Sequence, residues 1–228
     1  DILNILGDDI VKAPEYNGNL RSHIIRIPEE VEAASGIRLF GRTLKSFLFS
    51  TDIAIIRNCN ADAVIAVYPF TPQPIITHGI KNAADVPVFC GIGGGTTRGP
   101  RVVGLGVDAE QQGATGVVVN APTTNKLIKM LRLSLEIPII VTVISENEDI
   151  QARLDAGVTI LNVSAATRTP EVVASIREKF PEVPIIATGG PTPETIRETV
   201  EAGANAISYT PPSTAELFKA LMNEYRSK

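Results

Sequence analysis

Short apolar runs alternate with amphipathic stretches along most of the chain. "EIPIIVTVISENEDIQARLDAGVTILNVSA" starts at Glu136, and "EVPIIATGGPTPETIRETVEAGANAISYTP" starts at Glu182. The offset, 182 − 136 = 46, is kept by Pro138 and Pro184 and again by Gly157 and Gly203. Each copy is an apolar run, a polar turn, an amphipathic stretch, a glycine and a second apolar run. "PIIVTV" and "PIIATG" are continuous and β-branched, as strands buried on both faces are. In "TPETIRETVEAG", Ile196, Thr199 and Val200 fall at helical spacing. Thr192 can cap that helix, Pro193 suits its first turn, and Gly203 ends it. Ile150, Leu154 and Gly157 repeat the pattern one unit earlier.

The pattern extends toward the N-terminus through "DVPVFCGIG", "GATGVVVNAP", "KSFLFSTD" and "NADAVIAVYPF". It predicts eight strands, at 45–51, 62–68, 87–92, 116–121, 138–144, 159–164, 184–188 and 205–210, each followed by a helix. Eight βα units predict an α/β (β/α)8 TIM barrel, with a doubly wound open sheet as the alternative. The regular double unit without a switch point favours the barrel. Residues 1–43 hold no full βα unit. They predict an N-terminal extension, with a helix and irregular segments, packing on a barrel of residues 44–228.

With 44% hydrophobic and 20% charged residues, a large core is expected and global disorder is not. The net charge of −4 speaks against general nucleic-acid binding. Lys126, Lys129 and Arg132 make a local basic stretch, read as a solvated helix face. Cys59 and Cys90 form no CxxC pair, and no long apolar run appears, so a reducing, cytoplasmic setting without membrane attachment is expected.

Barrel enzymes carry their sites at the C-terminal ends of the strands, often with a phosphate between the loops after strands seven and eight. Here those loops are "ATGGPTPET" and "SYTPPSTAELF". Backbone N–H groups at Gly189 and Gly190, with Thr210, Ser213, Thr214 and the start of the last helix, make the predicted phosphate clamp. The glycine-rich "GIGGGTTRGPR" enlarges the loop after strand three. Gly93, Gly94, Gly95 and Thr96 are read as a lid over the substrate, with Arg98 and Arg101 as its charges. It lacks GK[ST] and so is no Walker A loop, and "GLGVDA" falls where a helix is expected.

"VPIIATGGPTPETIRETVEAGANAISYTPPS" resembles the last quarter of the ribulose-phosphate-binding barrel superfamily, the group of thiamine-phosphate synthase, keto-deoxy-phosphogluconate aldolase, N-acetylmannosamine-6-phosphate epimerase and the glycerol-uptake antiterminator regulators. The resemblance implies a phosphate role for Gly189, Gly190 and the helix start near Ser213. The chain departs from it at Tyr209-Thr210-Pro211-Pro212, where relatives carry Gly-Ser or Gly-Thr, and the two prolines donate no N–H.

Among the other strand ends, Asp52 is the acid/base candidate, with Asn120 and Arg98 contacting substrate. Tyr68, Thr97, Ser145, Glu146, Ser164, Thr167 and Arg168 also fall there. No lysine sits at a strand end, which speaks against Schiff-base chemistry. The histidines, His23 and His78, do not suggest a metal site, and none is expected. The leading expectation is an isomerase, epimerase or lyase acting on a small phosphorylated metabolite. A non-catalytic regulator binding such a metabolite, or an FMN barrel, are the alternatives. No other cofactor is expected, and homo-oligomers are expected by analogy alone.

Overall fold

The computed structural model describes residues 24–227 together with Pro14, Tyr16 and Gly18. His23 lies outside the described residues. Eight parallel strands close into one barrel. They are β3 (Ser46–Phe49), β4 (Ala63–Ala66), β5 (Val88–Gly93), β6 (Gly116–Val119), β7 (Ile139–Val143), β8 (Ile160–Val163), β9 (Ile185–Thr188) and β10 (Ala206–Tyr209). β10 pairs with both β9 and β3 and so completes the ring. Every strand overlaps its predicted span, and the open-sheet alternative falls, because such a sheet has two free edges.

A helix follows each strand: α1 (Ile53–Arg57), α2 (Pro74–Ala83), α3 (Pro100–Gln111), α4 (Asn125–Ser134), α5 (Ile150–Ala156), α6 (Thr169–Lys179), α7 (Pro193–Glu201) and α8 (Thr214–Arg226). Ahead of the barrel lie a 3-10 turn, Glu29–Ala33, and a hairpin of β1 (Ile37–Leu39) and β2 (Arg42–Leu44). Ile37 and Leu44 of the hairpin pack into the barrel interior. The described part of the extension is thus a plug and a brace, with Glu30 of the 3-10 turn 3.5 Å from Arg197 of α7.

Successive strand residues point to opposite faces, and that parity sorts the core. Val64, Cys90, Val117, Val141, Leu161, Ile185 and Ile207 face the helices. Phe47, Ile65, Phe89, Val118, Ile140, Ile160 and Ile186 fill the interior. Phe47 and Phe89 meet edge to face there, with ring centroids 5.2 Å apart. Gly116 leaves room for them: a Cβ on it would lie 2.7 Å from Phe89 Cδ1.

The two copies of the repeat tie their helices alike, with the glycines 46 residues apart and the arginines 45. Arg132 of α4 lies over Gly157, and Arg177 of α6 over Gly203. A Cβ on either glycine would come within 3 Å of the arginine's side chain. Arg177 also donates to the backbone oxygens of Gly203, Pro181 and Val183 and to Asn205 Oδ1, which anchors the bottom loops. Partial burial pulls this guanidinium below its usual range.

Candidate functional site at the barrel mouth

Continuing the interior parity toward the C-terminal ends reaches the mouth. From β7 to β10 the inward positions are Thr142, Asn162, Ser164, Thr188 and Ser208. Thr142 pairs across the ladder with Asn162, and Thr188 with Ser208. Thr188 Oγ1 donates to Ser164 Oγ at 3.2 Å. Asn162 is 9% exposed, and its Oδ1 is buried with no hydrogen-bond partner. A buried amide oxygen without a donor costs about 1–3 kcal/mol. A barrel core gains nothing from these amides and hydroxyls, so the row, with its unfilled acceptor, is the candidate site on this side of the mouth.

Of these residues, the sequence reading singled out Ser164 alone. The signal was present: Thr142 and Thr188 stand 46 residues apart, as do Asn162 and Ser208, and Ser164 and Thr210. Strand parity applied to the repeat separates this polar row from the apolar positions beside it.

The opposite side of the mouth is built differently. Val67, Tyr68, Phe70, Gly91, Thr97 and Asn120 line a cavity of about 320 Å³, which Gly93 and Thr96 also border. Tyr68 Oη accepts from Gln73 N at 2.9 Å, which leaves its own proton available to a ligand. The predicted lid is folded into the wall. Gly94 N donates to Thr97 O, Asn120 N to Gly93 O, and Arg98 Nε to Gly95 O. Gly94 has φ +97°, and a Cβ there would lie 1.8 Å from Thr123 Oγ1, so no other residue fits. Gly95 lies against the Asn120 amide, where a Cβ would be 3.1 Å from Nδ2.

The sequence-predicted residues therefore fall in three places. Asn120, Gly93 and Thr96 border the cavity. Arg98 lies outside it, on a groove at the start of α3. Asp52 is the N-cap of α1 and accepts from Ala54 N and Ile55 N. Its second oxygen accepts from the Thr214 hydroxyl. That bond is the main reason the carboxyl is held below its ordinary range. Both oxygens are committed, and Asp52 ties α1 to α8.

At the predicted clamp, Gly190 has φ +78°, and a Cβ on it would lie 2.5 Å from Thr195 Oγ1. A Cβ on Gly189 would collide with Ile196 and Ile207. The first turn of α7 is closed by its own groups: Thr192 N donates to Thr195 Oγ1, Pro193 has no N–H, and Thr195 N donates to Thr192 Oγ1. At α8, Glu216 Oε2 accepts from both the backbone N and the hydroxyl of Ser213. Those bonds lower the Glu216 pKa. A carboxylate of the chain thus occupies the start of α8. The backbone N–H groups of Gly189, Gly190, Thr214 and Ala215 have no acceptor among the described residues. Thr210 is exposed beside them.

Several other groups are committed to partners of their own or buried among the helices. Glu146 pairs with Arg168, which also reaches Glu171 at 3.3 Å. His78 bonds Asn82 on α2. Cys90 faces the helices, and burial pushes its thiol up to about 12, which leaves it unreactive. Among the described residues, no group of three or more His, Cys, Asp or Glu side chains is placed to hold a metal ion. None of their helices is long and apolar enough to cross a membrane.

No family model matches the chain. Two inosine-5'-monophosphate dehydrogenases, from Chlorobaculum parvum and Chlorobaculum tepidum, are 39% and 37% identical to it over 62 residues. That stretch is 25% of this chain and 13% of each relative, so the chain spans a small part of the curated relatives it matches. Among solved structures, the phosphoenolpyruvate phosphomutase of Streptomyces platensis subsp. rosaceus superposes with a TM-score of 0.64 at 11% identity, over 82% of this chain and 83% of that one. A phosphonopyruvate hydrolase complex with oxalate and Mg++ gives 0.61 at 12%, over 81% and 80%. The aldolase QR15 gives 0.58 at 18%, over 78% and 94%. At these identities the likeness establishes the fold. The narrower resemblance to ribulose-phosphate-binding barrels rests on its motif alone. The chain is an α/β TIM barrel whose structural neighbours include a phosphomutase, a hydrolase and an aldolase.

Proposed function

We propose that this barrel is an enzyme acting on a small phosphorylated metabolite bound at its C-terminal mouth, by isomerase, epimerase or lyase chemistry. The observation that carries the reading is the polar row from Thr142 to Ser208, with the unfilled Asn162 Oδ1 inside it. Hydroxyls of the ligand pair with Asn162, Ser164, Thr188 and Ser208, and Asn120 and Tyr68 contact it from across the mouth. The phosphoryl group takes the open N–H groups of Gly189, Gly190, Thr214 and Ala215. Glu216 then acts as an internal competitor, since it already occupies the start of α8. Asp52 positions Thr214, and Tyr68 is the proton donor in reach of the cavity.

The test is a panel of sugar phosphates, triose phosphates and FMN, read by melting temperature and by turnover. Binding to the folded state raises the melting temperature by mass action. One phosphorylated compound is expected to stabilise the protein. Gly190→Asp removes that stabilisation, because it brings a carboxylate and a side chain to a left-handed position. Glu216→Gln strengthens it. An equal response in all three proteins would refute the clamp.

A second reading is a regulator that binds the same metabolite without converting it. The polar row itself favours it: its side chains are amides and hydroxyls with no group that titrates near neutral pH. Binding without turnover across the panel would decide for it.

A further inference from the structure

We infer that a second anion site, for the phosphoryl group of a small metabolite, lies in the groove between the first turns of α3 and α4. It is independent of the clamp at β9 and β10. In the ring order, β5 and β6 stand opposite β9 and β10, so the two places lie on different sides of the barrel.

The groove has a volume of about 540 Å³ and is lined by Gly94, Arg98, Gly99, Thr123 and Lys126. Its charge is of one sign. No Asp or Glu side chain lines it, and neither Arg98 nor Lys126 has an ion-pair partner among the described residues. α3 has twelve residues, and its N-cap, Gly99, offers no side-chain acceptor. Pro100 follows without an N–H, and the Arg101 N–H has no acceptor among the described residues. The positive end of the helix dipole therefore opens on the groove without a carboxylate of its own. The contrast with α8 is direct, where Glu216 fills that position.

Thr123 supplies the independent observation. It is 2% exposed, and its Oγ1 has no hydrogen-bond partner. The hydroxyl is directed at Gly94, on the groove's inner wall, where a Cβ would lie 1.8 Å from it. The turn around it is fixed from behind: Arg153 donates to Thr123 O, Ala121 O and Asn125 Oδ1. A polar atom held rigidly and left without a partner beside two free cations and an open helix start fits a phosphoryl oxygen. Arg98 already spends Nε on Gly95 O, and its two terminal amino groups remain for the ligand.

The experiment titrates inorganic pyrophosphate into the whole protein by calorimetry at low and moderate salt. The same titration is made on Arg98→Ala/Lys126→Ala, Thr123→Val and Gly190→Asp. The wild-type chain binds pyrophosphate, and the double variant loses at least about tenfold in affinity, as the loss of charge-assisted hydrogen bonds dictates. Thr123→Val weakens binding with an unchanged melting temperature, since its hydroxyl has no partner to lose. Gly190→Asp leaves binding at the groove intact. Absence of binding by the wild-type chain would overturn the inference. So would full affinity in the double variant, or a loss confined to Gly190→Asp. A single-stranded RNA that binds through Arg98 and Lys126 where pyrophosphate does not would also overturn it, in favour of a nucleic-acid surface.

Discussion

The two halves of the barrel share one backbone plan and differ at the mouth. At corresponding inward positions, β3 to β5 present Phe49, Val67 and Gly91, whereas β7 to β10 present Thr142, Asn162, Ser164, Thr188 and Ser208. Deeper in, both halves are uniformly apolar. The interior layer is what closes the ring, so it admits no polar group in either half. The mouth has no such duty, and there the halves diverge. One side offers Gly91 and Gly93 with the Tyr68 hydroxyl and the Asn120 amide on loops. The other offers a row of hydroxyls and the Asn162 amide on the strands themselves.

The largest effect expected is on the shared layer. Phe89→Ala removes the partner of Phe47 and opens a cavity beside Gly116. It should cost about 3–5 kcal/mol of stability, measured by denaturant unfolding. A cost below 1 kcal/mol would mean that the interior layer does not carry the fold.

The smallest effect concerns Asp52. Its folded pKa is depressed, so its contribution to stability is present above the unfolded value and is lost as pH falls through the folded one. The window lies below the ordinary carboxylate range, and at neutral pH the contribution is constant. Asp52→Asn keeps a capping side chain and should cost less than about 1 kcal/mol at neutral pH, while flattening the acid limb of the stability curve. If Asp52 were the acid/base group, the same substitution would abolish turnover. If it positions Thr214, turnover falls only in part, and Thr214→Val reproduces the loss.

Much of the architecture was legible because buried parallel strands leave a plain trace. "PIIVTV" and "PIIATG" could hardly be anything else, and Thr192 and Pro193 cap α7 as their types demand. The site was less legible, for two physical reasons. Asp52, Ser213 and Thr195 are residues whose chemistry suits capping as well as catalysis, and only coordinates show which atoms are already committed. Asn162 and Ser208, by contrast, lie inside apolar runs, where one polar residue reads as noise until parity shows that it faces the mouth. Arg98 stands three residues beyond Gly95, yet the turn at Gly94 sends it outside the cavity. Sequence proximity to the glycine-rich run therefore misplaced it.

Whether the polar row of β7 to β10 receives the ligand is decided by Asn162→Leu, because the substitution removes an unpartnered acceptor and leaves an apolar side chain of similar size. The measurement is the melting temperature of both proteins, alone and with the phosphorylated compound that stabilises the wild-type chain. The ligand-free variant is expected to melt at the wild-type temperature or above it, and the ligand no longer to raise it. A variant that keeps the full ligand response, or one strongly destabilised without ligand, would rule out this role: the first because the row does not bind, the second because Asn162 serves the fold.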